Sequence, residues 1–542
     1  MVDTVLFWSA TAVYVTITLF LAYFGWKKTK KGEDFLLAGR KVNPWIIGLS
    51  YGSTFISTAA IVGFGGVAAN WGLALMWLVF LNIAVGILIA FIVFGKPTRK
   101  LGQKYKAMTF PDLLGKVFRS KFLRVSAALI IVVMMPLYAS GVLIGGTLFI
   151  QTTLGVDYNT ALIAFAIITA AYVLFGGLLA VMYTDAFQGA IMLFGMTAIL
   201  ILTFLLLGGV TDSFQALTDL PSQVPPTSSS GTYLASLASK GWEGWTSFPE
   251  LGSSIWFTVV TTIIMGVGIG VLAQPQLVVR FMTAKDAKTL NRAVPIGALF
   301  ILLTTGVAYT VGALTNVYFW DNEGMISTQV VKDPVTGIIN IDKIVPQYIN
   351  SAMPDIIIII FMLTLLAAAM STLSSLFHTM GSAAGFDIYS YLKGGKTKEA
   401  SLKASRIGTL VMIVASVVLA FFMPVSIIAR ATAMFMGLCA SAFLPLFVHG
   451  LFSKRTSRLA AISSLVVGTS VWFFWTFFVH KAESAPLGIC NALFGVDSLL
   501  GMPWQVVDPL IVAIPCSVAA LVVGYALDKQ KFVKEEADAA SA

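Results

Sequence analysis

A cluster of hydroxyl side chains lies in the apolar stretch 355–385, which is long enough to be a membrane-spanning helix. Ser371, Thr372 and Ser375 follow Ala368 by three, four and seven residues, so these positions share one helix face. A dehydrated cation needs about five or six hard oxygen ligands, which hydroxyl and carbonyl groups supply without a full charge. The pattern indicates a cation site; hydrogen bonding between helices is the alternative interpretation.

Asp185 begins another apolar stretch, 185–209. An acid within or near a bilayer is costly and is therefore a functional candidate. The predicted directions of the two helices place Ser374 and Ser375 nearer to Asp185 than Ser371 is. The alternative interpretation is that Asp185 caps the helix, because helix N-termini favour carboxylates.

Two apolar stretches are interrupted at matching positions by Gly, Ser and Pro. The first is 45–70, with a small-residue run that reaches Gly63, and the second is 254–273, followed directly by Gln274-Pro275. They lie five spans apart and enter the membrane from opposite faces. Interrupted helices are tolerated in a membrane where the freed backbone lines a cavity, and paired interruptions are typical of inverted repeats. Close packing through small residues is the alternative.

The composition demands a bilayer around these elements. Of the 542 residues, 58% are hydrophobic and only 11% are charged, and the mean hydropathy is +0.88. A globular domain in water carries about 25% charged residues, and spans of roughly 20 residues favour helices over a barrel. We predict an all-α integral membrane protein with about thirteen transmembrane helices. Their approximate limits are 5–25, 45–70, 72–95, 124–150, 158–181, 185–209, 254–273, 293–317, 355–385, 405–423, 426–451, 458–480 and 506–527.

Charge predicts the orientation. Most of the 35 Lys and Arg residues, including the group from Arg280 to Arg292, fall in every second segment that connects the predicted spans. These segments lie on the same side of the membrane. The positive-inside rule makes that side cytoplasmic, with the N-terminus outside and the C-terminus inside a cell membrane. The net charge of +10 then follows from topology, and we do not expect a nucleic-acid partner.

Three motifs carry a resemblance to a known family. They are the Gly-Gly-x-x-Ala-Val-x-x-Thr-Asp run that ends at Asp185, the segment from Gln274 to Met282, and Ser371-Thr372 followed by Asp387-Ile-Tyr. In this order and spacing, over nearly the whole chain, they resemble the sodium:solute symporter family. The resemblance implies a five-plus-five inverted repeat like that of the leucine transporter. It divides the chain into a peripheral first helix and loop (1–43), the first repeat (44–209), an extracellular loop (210–253), the second repeat (254–451) and two peripheral helices with a tail (452–542).

The resemblance also implies sodium as the coupling ion. The shared sodium site of the family corresponds to the carbonyls of Ser53, Ile56 and Ala368 and the hydroxyls of Ser371 and Thr372. A second sodium site, which some members use, corresponds to Asp185 with Ser371, Ser374 and Ser375. Because no Lys or Arg is close in sequence to Asp185, we expect sodium to be its charge partner.

The solute is predicted from positions at which this chain differs from other carriers of the family that it resembles. Proline carriers of the family have an acid where this chain has Phe55, and galactose carriers have polar residues where it has Ala59 and Ala60. Few polar anchors predict a small solute with one carboxylate, and we favour a short monocarboxylate; proline, another amino acid and pantothenate are the alternatives. Arg430 either snorkels to the outer interface or pairs with a substrate carboxylate. The residues predicted to contact the solute are Phe55, Ser57, Ala59, Ala60, Gln274 and Arg430.

Other function classes are disfavoured. The segment 390–397 looks like a phosphate-binding loop but lacks its first glycine, so we expect no ATP. An ion channel would show repeated filter sequences or rings of acidic residues, and a sensor would carry a signalling domain. We find no such features in the sequence. We therefore predict a carrier and not an enzyme, which imports its solute with sodium by alternating access.

Overall fold

A computed structural model describes residues 4–29, 32–393, 398–424 and 426–533. These residues are mainly helical. The first nine α-helices are α1 (Thr4–Lys28), α2 (Gly32–Leu37), α3 (Pro44–Phe55), α4 (Phe64–Trp71), α5 (Met76–Ile83), α6 (Lys96–Lys104), α7 (Phe110–Val117), α8 (Lys121–Leu154) and α9 (Tyr158–Leu206), with π-helical turns at Ala59–Gly63 and Ala84–Gly95.

The second part of the chain continues in the same way. Its helices are α10 (Val210–Gln223), α11 (Ser229–Ala238), α12 (Ser254–Phe257), α13 (Gly266–Gly270), α14 (Pro275–Thr283), α15 (Ala287–Ile301), α16 (Val307–Glu323), α17 (Ser327–Val330), α18 (Ile344–Ala352), α19 (Asp355–Ser382), α20 (Lys398–Phe422), α21 (Ile428–Phe452), α22 (Arg458–Phe478), α23 (Lys481–Leu487), α24 (Ile489–Phe494) and α25 (Pro509–Leu527). Further π-helical segments are Thr258–Met265, Leu302–Gly306 and Ala383–Ser390. Two short strands, β1 (Arg455–Thr456) and β2 (Phe532–Val533), pair in antiparallel fashion.

Helices of membrane-spanning length dominate the described residues. Eleven are long and apolar enough to cross a bilayer, and the bent pair Pro44–Phe55 and Ala59–Trp71 makes a twelfth. Tyr158–Ala171 is apolar but shorter. The structure therefore confirms an all-α membrane protein, while the count of thirteen stays a prediction.

The first predicted interruption is a real break between α3 and the next helical segment. The Asn43 side chain accepts the N–H of Ile46 and, with Pro44 in the first turn, fixes where α3 begins. The helix ends at Phe55, and Ile56 adopts an extended conformation. The chain resumes as a helix at Ala59 after a bend of 53°.

The second predicted interruption is also a break. A 3₁₀ turn at Val271–Ala273 leads into Gln274, which is extended (φ −71°, ψ 121°). Pro275 then starts α14, since proline suits the first turn of a helix. The paired breaks agree with an inverted repeat, whose predicted domain boundaries stay a prediction.

A kink at Gly177 divides α9 and corrects the expected limits of two spans. Gly177 has φ 62° and ψ −175°, a conformation that is essentially restricted to glycine. A side chain there would also collide with the ring of Phe35 in α2. The second part of α9 begins at this kink, so Asp185 lies two turns inside the helix. The boundary at 185 was wrong, and so was the interpretation of Asp185 as a helix cap.

Burial separates a central group of helices from peripheral ones. In α21 and α19, 83% and 78% of the most apolar stretch is buried, against 22% in both α1 and α25. The helices α2, α6, α7 and α14 pack together at one end of the molecule, which we call the basic face because of its Lys and Arg residues. Both breaks lie beside α19 or α21, so the central helices surround the interrupted backbone.

Candidate functional site: two oxygen clusters between broken helices

The first cluster joins α19 to the end of α3. The Ser371 hydroxyl donates to the carbonyl of Ser53 at 2.8 Å and lies 3.2 Å from the carbonyl of Ala368. The Thr372 hydroxyl donates to the carbonyl of Thr54 at 3.1 Å and lies 3.4 Å from that of Ser53. All five residues are buried. The structure thus brings together four of the five residues predicted for a first sodium site.

Ile56 is the fifth predicted ligand and stands at the break itself. Its N–H donates to the carbonyl of Gly52 at 2.8 Å, and its extended backbone turns its own carbonyl out of the helical pattern of α3. Neutral hydroxyl and carbonyl oxygens, buried and next to a helix break, are the donor set that suits a dehydrated alkali cation. The first cluster therefore fits sodium chemically.

The second cluster surrounds Asp185 on α9. One carboxylate oxygen, Oδ1, accepts the hydroxyl of Ser374 at 3.1 Å. The other, Oδ2, accepts the hydroxyls of Ser50 at 2.9 Å and Ser375 at 3.4 Å. The Ser53 hydroxyl donates to the backbone carbonyl of Asp185 at 3.0 Å. The two clusters are therefore adjacent, and the predicted group of Asp185, Ser374 and Ser375 is assembled.

A guanidinium group is the charge partner of Asp185. Nη2 of Arg280 lies 2.7 Å from Oδ2 of Asp185, and both side chains are buried. We expected sodium as the charge partner of Asp185 because no Lys or Arg is close to it in sequence, and the contact with Arg280 removes that reason. Sequence reasoning had placed Arg280 among the basic residues of a loop, whereas the structure places it inside α14, one helical turn and a half after the break.

The residues predicted to contact the solute are divided between the two breaks. Phe55 ends α3, and its ring lies against Gly86. Ala59 and Ala60 start the next helical segment and are buried. The Ser57 hydroxyl accepts the N–H of Ala59 at 3.1 Å. These four residues form the wall of the first break.

Tyr138 is a neighbour of this wall that sequence reasoning missed. It is fully buried on α8, its hydroxyl lies near the side chain of Ser57, and its ring stacks on Phe435 of α21 at 5.9 Å. A buried tyrosine needs a partner for its hydroxyl, which was the one signal the sequence offered.

Gln274 forms the second break and is buried. Its carbonyl oxygen Oε1 accepts the side-chain amide of Gln276. Its own amide nitrogen Nε2 is buried without a hydrogen-bond partner among the described residues. A buried, unpaired donor costs free energy unless a ligand satisfies it, so this N–H is a candidate solute contact.

Arg430 lies away from these groups, near the start of α21. Its Nη2 contacts Glu483 Oε1 at 3.3 Å and the carbonyl of Ala482, both in α23. Neither interpretation from sequence included this contact. The structure therefore does not bring Arg430 to the other predicted solute residues.

A small cavity of about 20 Å³, which has room for about one water molecule, lies beside α14. It is lined by Gln276 and Val279 of α14, by His378 and Ser382 of α19, and by residues of α7. Two of the helices that bound it, α7 and α14, belong to the basic face. Residues 394–397 of the rejected phosphate-binding segment lie outside the described residues.

Two broken helices, a buried oxygen cluster between them and a surrounding bundle of spanning helices define the class of secondary transporters. The model of the sodium:solute symporter family matches residues 35–468. The chain belongs to the sodium:solute symporter family.

Relatives of characterised function agree with this membership. The chain is 28% identical to sodium/proline symporter 2 of Staphylococcus saprophyticus, over 97% of this chain and 96% of that protein. It is 28% identical to the osmoregulated proline transporter of Bacillus subtilis, over 85% and 87%. It is 26% identical to the sodium/pantothenate symporter of Haemophilus influenzae, over 90% and 94%.

A solved structure has the same fold. The substrate-bound, outward-open state of a sodium-coupled sialic acid symporter superposes with a TM-score of 0.73, over 98% of this chain and 99% of that one, at 19% identity. This likeness confirms the predicted class of fold.

Proposed function

We propose that the protein is a sodium-coupled symporter that imports a small organic solute bearing one carboxylate. The observation that carries the proposal is the contact of the Ser371 and Thr372 hydroxyls with the last carbonyls of broken α3. A sodium ion held by these oxygens links α19 to α3. Binding or loss of the ion can therefore move the broken helix against the surrounding helices, which is the basis of coupling in alternating access.

The direction of transport follows from charge. Most of the 35 Lys and Arg residues fall in connecting segments that are expected on one side of the membrane, and the segment with α6 and α7 is one of them. Under the positive-inside rule the basic face is therefore the cytoplasmic one. Sodium and solute then enter from the opposite face and leave towards the basic face, on the side where α14 and α19 meet. His378 and Ser382 of α19 line the small cavity there.

The walls of the breaks favour a short monocarboxylate. Phe55, Ala59 and Ala60 offer apolar surface, whereas the unpaired N–H of Gln274 offers one hydrogen bond to an acceptor such as a carboxylate oxygen. Among these residues no carboxylate is present to bind an ammonium group. This set matches an anion with a short apolar chain.

Proline or pantothenate is the second candidate solute. It is favoured by the names of the relatives, two of which transport proline and one pantothenate. Both compounds also carry one carboxylate, so the proposed contact with Gln274 applies to each. The two candidates therefore share the carboxylate that would contact Gln274 and differ in the remainder of the molecule.

Competition in proteoliposomes tests the proposal. An inward sodium gradient should drive uptake of radiolabelled solute, and a potassium gradient should not. Acetate, propionate, lactate, pyruvate, proline and pantothenate are then added as competitors. Competition by propionate or pyruvate supports a short monocarboxylate as the solute. Competition by proline alone would instead make proline the solute. Uptake that does not depend on sodium would contradict the proposed coupling.

A further inference from the structure

Four elements meet around the guanidinium of Arg280. Ser50 and Thr54 come from α3, Asp185 from α9, Ser375 from α19, and Arg280 itself from α14. All five residues are buried, and none is more than 1% exposed. Both broken helices therefore contribute to one charged cluster that is closed to solvent.

Each nitrogen of the guanidinium has an oxygen partner. Nη1 donates to the backbone carbonyl of Gln276 at 2.7 Å, which fixes the side chain to its own helix. Nε donates to the hydroxyl of Ser50 at 3.0 Å. Nη2 donates to Oδ2 of Asp185 at 2.7 Å, to the hydroxyl of Ser375 at 2.6 Å and to that of Thr54. The group is held from every side.

The oxygens around Nη2 are those that a second sodium ion would need. Asp185 and Ser375 belong to the predicted second sodium site, and Ser374 contacts the other oxygen of the same carboxylate. A second cation beside a buried guanidinium would repel it strongly, because the surroundings screen charge poorly. One carboxylate cannot neutralise both.

We propose that Arg280 is a tethered cation that occupies the second sodium position, so that the protein binds one sodium ion per transport cycle. This inference rests on the proposed sodium coupling. It also implies a latent site: without the guanidinium, Asp185, Ser374 and Ser375 form a site for an alkali cation. The positive charge then comes from solution instead of from the chain.

Equilibrium binding of radioactive sodium to the purified protein, without solute, tests this. We expect one ion per wild-type protein and two per Arg280→Gln protein. Arg280→Lys keeps the charge on the chain and should bind one. The double variant Arg280→Gln/Asp185→Asn has neither charge and should also bind one.

The outcomes separate this inference from the proposed function. Two ions per wild-type protein, falling to one in the double variant, would overturn the tethered cation while leaving sodium coupling intact. One ion in Arg280→Gln would overturn the latent site. No sodium bound by any of the proteins would contradict the proposed function itself. Comparison of the wild type with the double variant decides the first point even if Arg280→Gln does not fold.

Discussion

The hydroxyls of Ser371 and Thr372 are the residues whose removal should alter sodium dependence most directly. Thr372→Val keeps the shape of the side chain but removes one oxygen, and Ser371→Ala removes the other. Loss of such a polar contact in a closed site costs about 1–3 kcal/mol, which corresponds to a rise of about 5- to 150-fold in the sodium concentration for half-maximal uptake. Uptake measured against sodium concentration checks this.

A matched control lies on the same helix. The hydroxyl of Thr364 donates to the carbonyl of Ile360 within α19 at 2.9 Å and does not reach α3. Thr364→Val should therefore leave the sodium requirement close to that of the wild type. If Thr364→Val and Thr372→Val shift it equally, the effect is one of helix stability and the first site is misplaced.

At the scale of residues, the sequence predicted the first cluster, made of hydroxyl and carbonyl oxygens, better than the second cluster around Asp185. The spacing of Ser371, Thr372 and Ser375 was enough to place them on one face, because the spacing of residues along a helix alone determines which of them share a face. Arg280 was missed because its partner lies 95 residues away and its position next to a basic loop resembled a topology signal. Charge pairing across the two halves depends on the fold, which sequence spacing alone does not contain.

The kink in α9 depends on a single glycine. Gly177→Ala should destabilise the protein, because its backbone conformation costs an L-residue about 1–3 kcal/mol and the added Cβ would lie 2.6 Å from Cδ2 of Phe35. The expected result is a lower melting temperature in detergent and a smaller fraction of sodium-responsive protein.

Gly209 provides the comparison for that variant. It has a similar backbone conformation, with φ 115° and ψ 175°, but a Cβ added there would meet no atom within 4 Å. Gly209→Ala should carry the backbone cost alone and lose less stability than Gly177→Ala. Equal losses would show that packing against Phe35 contributes nothing.

Among the elements, the two breaks were predictable and the span limits around Asp185 were not. Gly, Ser and Pro mark backbone interruptions by their own conformational properties, so Gln274-Pro275 identified its break directly. The limits at 181 and 185 were wrong because the apolar run continues through Gly177 and only the tertiary contact with Phe35 shows where the chain turns.

An ion cluster ties the loop after α22 to the bundle. His480 Nδ1 pairs with Glu483, which also contacts Arg430. Although burial favours the neutral imidazole, the adjacent Glu483 carboxylate, with a smaller contribution from Asp508, raises the pKa of His480 above its ordinary value. Burial opposes ionisation of Glu483, but His480 and Arg430 together lower its pKa. Both shifts favour the charged pair over the neutral groups.

The sign of the pH effect follows from the raised pKa of His480. Its contribution to stability is complete below the unfolded value of about 6.5 and is lost as the pH rises through the higher folded pKa. The contribution of Glu483, whose pKa is lowered, is lost only in acid. We expect the melting temperature to fall as the pH rises above about 6.5, by more in the wild type than in His480→Gln. Parallel curves would exclude a stabilising role for this pair.

The orientation of the whole molecule is open to direct labelling. Val335 lies between the predicted spans 293–317 and 355–385, on the side expected to be outside the cell, and is 91% exposed. In a variant in which Cys439, Cys490 and Cys516 are replaced, a single cysteine at Val335 should therefore react with a membrane-impermeant maleimide added to intact cells. A single cysteine at Lys285, which is exposed on the basic face, should react only after the membrane is opened. The reverse pattern would invert the proposed topology.

The ion pair of Asp185 and Arg280 has a consequence for how far a cell can concentrate the solute. If one sodium ion accompanies a monovalent anion, no net charge crosses the membrane. The membrane potential, which supplies about 2.3 kcal/mol for each charge moved across 100 mV, then contributes nothing to accumulation of the solute. A tenfold sodium gradient, about 1.4 kcal/mol, then limits accumulation to about tenfold. A zwitterion such as proline would instead carry the charge of the sodium ion and gain the potential as well. With a cation built into the chain, the charge of the solute decides whether the protein responds to voltage.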